Sequence, residues 1–109
     1  MTGWVLAALL LGTPLVHAVR QHDAAAVRAL LTGGADVNAP EADGATALHW
    51  AVYDDDAEMV GVLLAAGARA DTANDLGITP LHLAAANGNA AMVQRLLDGG
   101  GMSARRGPH

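Results

Sequence analysis

Five histidines (His17, His22, His49, His82 and His109) and the acidic run Asp54-Asp55-Asp56 with nearby Glu58 are the side chains of this sequence best equipped to bind a metal or move a proton. A helical zinc site needs two histidines about four residues apart, so that both imidazoles share one face. His17 and His22 are five apart, and His49 and His82 are thirty-three apart, so neither pair fits. The acidic run lacks the ligand spacing and the turn glycine of a calcium loop. Asp56 is instead expected to cap a helix and Glu58 to favour that helix's positive end, with Asp54 and Asp55 solvated or partner-facing.

Nucleophiles are scarce as well. The chain has no cysteine, and its one serine is Ser103. Disulfides, thiolate metal sites and cysteine catalysis are thereby excluded. Gly99-Gly100-Gly101 is not followed by the Gly-Lys-Ser/Thr of a phosphate loop, and Arg105-Arg106 is too small for a nucleic-acid footprint. With no triad, metal motif or nucleotide loop, the chain is expected to be no enzyme and to have no catalytic, cofactor-binding or metal-binding residues.

The elements around these residues follow from composition and period. The 109 residues suffice for one domain; 52% are hydrophobic and 16% charged, which favours folding over disorder. Aromatics are Trp4, Trp50 and Tyr53 alone, so the core is aliphatic, and its Ala and Leu content favours helices. A net charge of -5, with arginine as the only strong cation, opposes nucleic-acid binding.

A gapless shift of 33 residues superimposes Gly44, Thr46, Leu48, His49, Ala51, Ala57, Met59, Val60, Leu63, Leu64 and Gly67 on Gly77, Thr79, Leu81, His82, Ala84, Ala90, Met92, Val93, Leu96, Leu97 and Gly100. The same shift also places Thr13, Leu15, Ala18, Val19, Asp23, Ala24, Val27, Leu30, Leu31, Gly34 and Ala35 on the second unit. About three units therefore fill residues 13–101, at about 13–37, 38–70 and 71–101.

Each unit reads as two short helices. In the third, Thr79 caps the first helix and Pro80 opens it; Asn87-Gly88 stops it, and Asn89 caps the second. Met92, Val93, Leu96 and Leu97 then share one apolar face, as Met59, Val60, Leu63 and Leu64 do in the second unit. Trp50 stands at a leucine register and is expected in the core. Turn-rich stretches at 34–45 and 67–78 project between units.

Thr79-Pro80-Leu81-His82-Leu83-Ala84-Ala85, Gly33-Gly34-Ala35-Asp36-Val37-Asn38-Ala39 and the period together resemble the ankyrin repeat. The resemblance implies an all-α solenoid of stacked helix-turn-helix units with projecting β-turn loops, acting as a protein-binding scaffold without catalysis. It further implies that His49 and His82 hold each turn to its neighbour by hydrogen bonds. Partners in this family are met by the turns and the exposed face of the first helix. Carried over by position, that surface is Asp43, Ala45, Tyr53 and Asp54 in the second unit and Asp75, Leu76, Ile78, Ala86 and Asn87 in the third. Tyr53 is its expected anchor, and the acidic neighbours suit a basic partner.

The sequence departs from the family pattern in places. Ala47 replaces the proline, and Asp55 stands where the family has glycine, so it must turn left-handed or the turn must shift. After Gly100 the register is lost; residues 102–109 read as a disordered tail, and the uncapped end is expected to favour self-association. A fragment of a larger multi-repeat protein, with its activity in another domain, is the alternative reading.

At the other end, residues 4–11 form an apolar block, and Val16-His17-Ala18 offers small residues to a signal peptidase. Residues 1–18 thus read as a signal peptide or as an apolar amino-terminal extension. Cleavage after Ala18 implies a secreted or periplasmic protein; the alternative is cytoplasmic. A membrane is involved only if the segment is retained as an anchor.

Overall fold

The computed structural model describes residues 14–99, and the expectations for residues 1–13 and 100–109 lie outside them. Among the described residues the chain forms six helices: α1 (Pro14–Arg20), α2 (Ala24–Thr32), α3 (Ala47–Tyr53), α4 (Ala57–Ala65), α5 (Pro80–Ala86) and α6 (Ala90–Gly99). None is long and apolar enough to cross a membrane.

Local chemistry sets the helix starts. Asp23, Asp56 and Asn89 use a side-chain oxygen to accept the amides of Ala26, Met59 and Met92, at 3.0, 3.2 and 3.0 Å, satisfying donors that the first turn leaves free. At α5, Thr79 Oγ1 accepts the His82 amide at 3.1 Å while the Thr79 amide donates to His82 Nδ1 at 3.1 Å. Histidine here takes the part that glutamate has in a capping box. Asp55, at the family's glycine position, has φ +57°, and His22, one period earlier, has φ +58°. The left-handed turn is therefore kept without glycine, at about 1 kcal/mol or more per residue.

The helices pack in two rows. Each pair α1/α2, α3/α4 and α5/α6 joins through its short turn; α1, α3 and α5 pack in sequence along one row and α2, α4 and α6 along the other. Leu15, Val16, Ala18 and Val19 of α1 are buried with Leu48, Val52, Met59, Val60, Leu63, Met92 and Leu96 in one core that runs through all three repeats. No single two-helix unit has enough apolar surface for this alone, so the stability arises between neighbours. At the far end Leu96 is fully buried, whereas Leu81, Val93 and Leu97 are half-buried.

The turns between repeats are also built alike. The Glu41 amide donates to the Ala45 carbonyl at 2.8 Å and the Asn74 amide to the Ile78 carbonyl at 2.9 Å. The Asp75 amide then donates across to the Asp43 carbonyl at 2.8 Å, holding one turn against the next. Gly44, at φ +84°, is required there, because a Cβ would come within 3.1 Å of the Asn74 Cα.

Candidate functional site: the face of turns and first helices

His49 links the turns to the helices. Its Nδ1 accepts the Thr46 amide at 3.0 Å, which leaves the ring proton on Nε2; that nitrogen donates to the Ile78 carbonyl at 2.8 Å. The buried ring thus joins α3 to the following turn, the structural part expected of it.

Trp50 corrects the reading of a core leucine substitute. Its ring is half-buried, because the indole N–H needs an acceptor and finds one at the surface: Nε1 donates to Glu41 Oε1 at 2.9 Å. The Arg20 guanidinium lies over the ring, with its Cζ 4.3 Å from the centroid. Tyr53 meets it edge-on, with centroids 6.0 Å apart and planes at 84°. Trp50, Tyr53, Asp43, Ala45, His49, Asn74 and Leu83 together line a hollow of about 230 Å³.

Of the residues expected at a partner surface, Tyr53 is 63% exposed and Leu76 82% exposed. Asp43, Asp54, Asp75 and Ala86 are exposed too, and Ile78 is half-buried with its carbonyl engaged by His49. Ala45 is buried and forms a wall of the hollow instead of projecting, because the turn closes over it through the Glu41 bond. Asn87 is exposed, yet its Nδ2 donates to the Val52 carbonyl at 3.2 Å and so also joins two repeats. Only Asp43, Ala45 and Tyr53 of the set meet in the hollow. His49, Trp50, Asn74 and Leu83, not foreseen there, complete it, and the signal that could have found Trp50 was a polar-tipped aromatic in a leucine register.

Behind this face the repeats are linked by a polar ladder at the helix-helix turns. His22 Nδ1 meets Asp56 Oδ2 at 3.0 Å, and its Nε2 lies 3.8 Å from Asp54 Oδ2. One period on, Asn89 Nδ2 donates to Asp55 Oδ1 at 2.7 Å. The acidic run is thus used in joining repeats and capping α4. The hydrogen bond to Asp56 raises the His22 pKa above its ordinary 6.5; the slight desolvation opposes this, and the charges of Asp54 and Asp56 add to it.

Because the folded state holds this proton more tightly than the unfolded chain, the contribution is full below pH about 6.5 and fades as pH rises through the folded-state value. The urea midpoint is therefore expected to fall as pH increases across neutrality, and His22→Asn, whose residue also accepts a left-handed backbone, to flatten that slope. An identical slope in the variant would assign the dependence to another group.

A family model described as ankyrin repeats (3 copies) matches residues 8–74 and, in a second match, residues 55–107. No curated protein matches the chain. The two matches run over nearly all of the sequence, and they coincide with a stack of helix pairs tied at every turn in one register: the chain belongs to the ankyrin-repeat family.

Proposed function

We propose that this chain is a non-enzymatic binding module that holds another protein on the face formed by its turns and first helices. Ankyrin repeats are generally protein-protein interaction modules. The observation that carries the finer reading is the exposure of Tyr53 and Leu76 on that face, the two large hydrophobic side chains left exposed among the described residues. Neither takes part in the core, so both are available to a partner. An exposed aromatic beside carboxylates is the composition of an interface anchor for a basic protein.

The test compares capture of the partner from lysate by the wild-type chain and by the double variant Tyr53→Ala/Leu76→Ser. Affinity is expected to fall about tenfold or more. The unfolding midpoint should stay within the equivalent of about 0.5 kcal/mol, as for other exposed positions. Arg28→Ala, on α2 in the other row, should capture the partner as the wild type does. Equal capture by the double variant, or loss of capture only together with folding, would refute this face as the binding surface.

A membrane partner has no support from the helices described, and self-association would need the half-buried side chains of α5 and α6 to meet a second copy. For location, the burial of Leu15, Val16 and Ala18 favours a chain that keeps them, since cleavage between Ala18 and Val19 would remove part of the core.

A further inference from the structure

We propose that the hollow between the second and third repeats is a receptor for one arginine side chain of an extended basic peptide. This rests on the reading of the turn and first-helix face as the binding face, and it adds the chemistry of what enters.

The first observation is size. At about 230 Å³ the hollow is smaller than the clefts that take whole small molecules, which start near roughly 300 Å³. It suits a single side chain. The second is its lining: the Trp50 and Tyr53 rings offer aromatic surface, Leu83 an apolar wall for a methylene stem, and Asp43 a carboxylate. Asp43 Oδ1 accepts the Ala45 amide at 3.0 Å, but the side chain forms no ion pair among the described residues.

The third observation is that the chain already makes this contact with itself. Arg20 of the first repeat lies 4.3 Å from the Trp50 centroid and is not among the walls of the hollow, which are drawn from the second and third repeats. One period later Tyr53 replaces Arg20 and Leu83 replaces Trp50. Among the described residues the array thus supplies a cation from within on one side of Trp50 and none on the other. A cation beside an indole is attracted by the ring quadrupole, and a carboxylate nearby adds a direct charge partner. The net charge of -5 steers a basic segment towards the site.

The experiment measures the anisotropy of a fluorescein-labelled peptide of alternating glycine and arginine, beside its glycine-citrulline counterpart, which has the same shape without the charge. The full chain should bind the arginine peptide at least about fivefold tighter. Trp50→Leu leaves the net charge unchanged and supplies the residue that the third repeat has at this register; it should abolish most of that preference. Asp43→Asn keeps an oxygen for the Ala45 amide and should weaken binding as well, with circular dichroism melts confirming that both variants are folded.

Equal binding of the two peptides overturns the proposal. So does wild-type affinity in folded Trp50→Leu, because capture would then come from the net charge alone. If Trp50→Leu does not fold, wild-type affinity in Asp43→Asn overturns it. A partner captured through Tyr53 and Leu76 but not displaced by the arginine peptide would overturn the hollow as a receptor and leave the binding face standing.

Discussion

Leu63→Ala is expected to destabilise the chain by about 2 to 5 kcal/mol, because Leu63 is fully buried on α4, the middle helix of its row, and truncation leaves a cavity that its neighbours fill only in part. Small domains have about 5 to 15 kcal/mol in total, so this one change removes a large share of the stability. In a domain of this size it corresponds to a fall in Tm of about 10 °C or more. The reason lies in the solenoid: α4 packs on both α2 and α6, so a defect in it weakens the array in both directions. Thermal and urea unfolding followed by circular dichroism measure the effect. An unchanged midpoint would mean that Leu63 is not in the core between repeats.

A chain shortened to begin at Val19 is expected to lose more. It lacks Leu15, Val16 and Ala18, all buried, and most of α1, against which α2 and α3 pack. Burial of Leu15 and Val16 is worth roughly 1.5 to 3 kcal/mol each. Without them the part of α3 that packs on α1 is left facing water, and the second repeat becomes the end of the stack. The first repeat should be unfolded and the remainder melt at a lower temperature, as far-UV ellipticity and a denaturant titration would report. The result bears on processing: a mature protein that starts at Val19 and melts as the full chain does would show that α1 is dispensable.

The repeat fold was legible because the same side chains recur at a fixed spacing, and packing between neighbours demands that recurrence. Thr79, Asp56 and Asn89 act as the caps their types suggest, and Asp55 takes the left-handed turn in place of glycine. His49 reaches the Ile78 carbonyl as the resemblance implied. What could not be read was what depends on contacts between different repeats. Register placed Trp50 in the core, but its indole N–H pulls the ring outward to Glu41, and only the folded chain shows Arg20 arriving from the repeat before. Ala45 was legible as part of the turn but not as a buried wall, because the turn's own hydrogen bond decides that. The pairing of His22 with Asp56 joins residues 34 apart, one more than the period, so a comparison of equivalent positions does not find it.

That ladder also makes the order of the repeats matter. Each rung joins the left-handed turn residue of one repeat to the helix-capping residue of the next: histidine to carboxylate at the first junction, carboxylate to amide at the second. The middle repeat carries an aspartate at both places, Asp55 and Asp56. Followed by a copy of itself, it would bring two carboxylates together where Asn89 now donates. Otherwise similar units therefore cannot be duplicated or exchanged freely. A lengthening of this array by duplication of its middle unit would need a compensating change at one rung, so the polarity of two side chains per junction serves as a record of which repeat follows which.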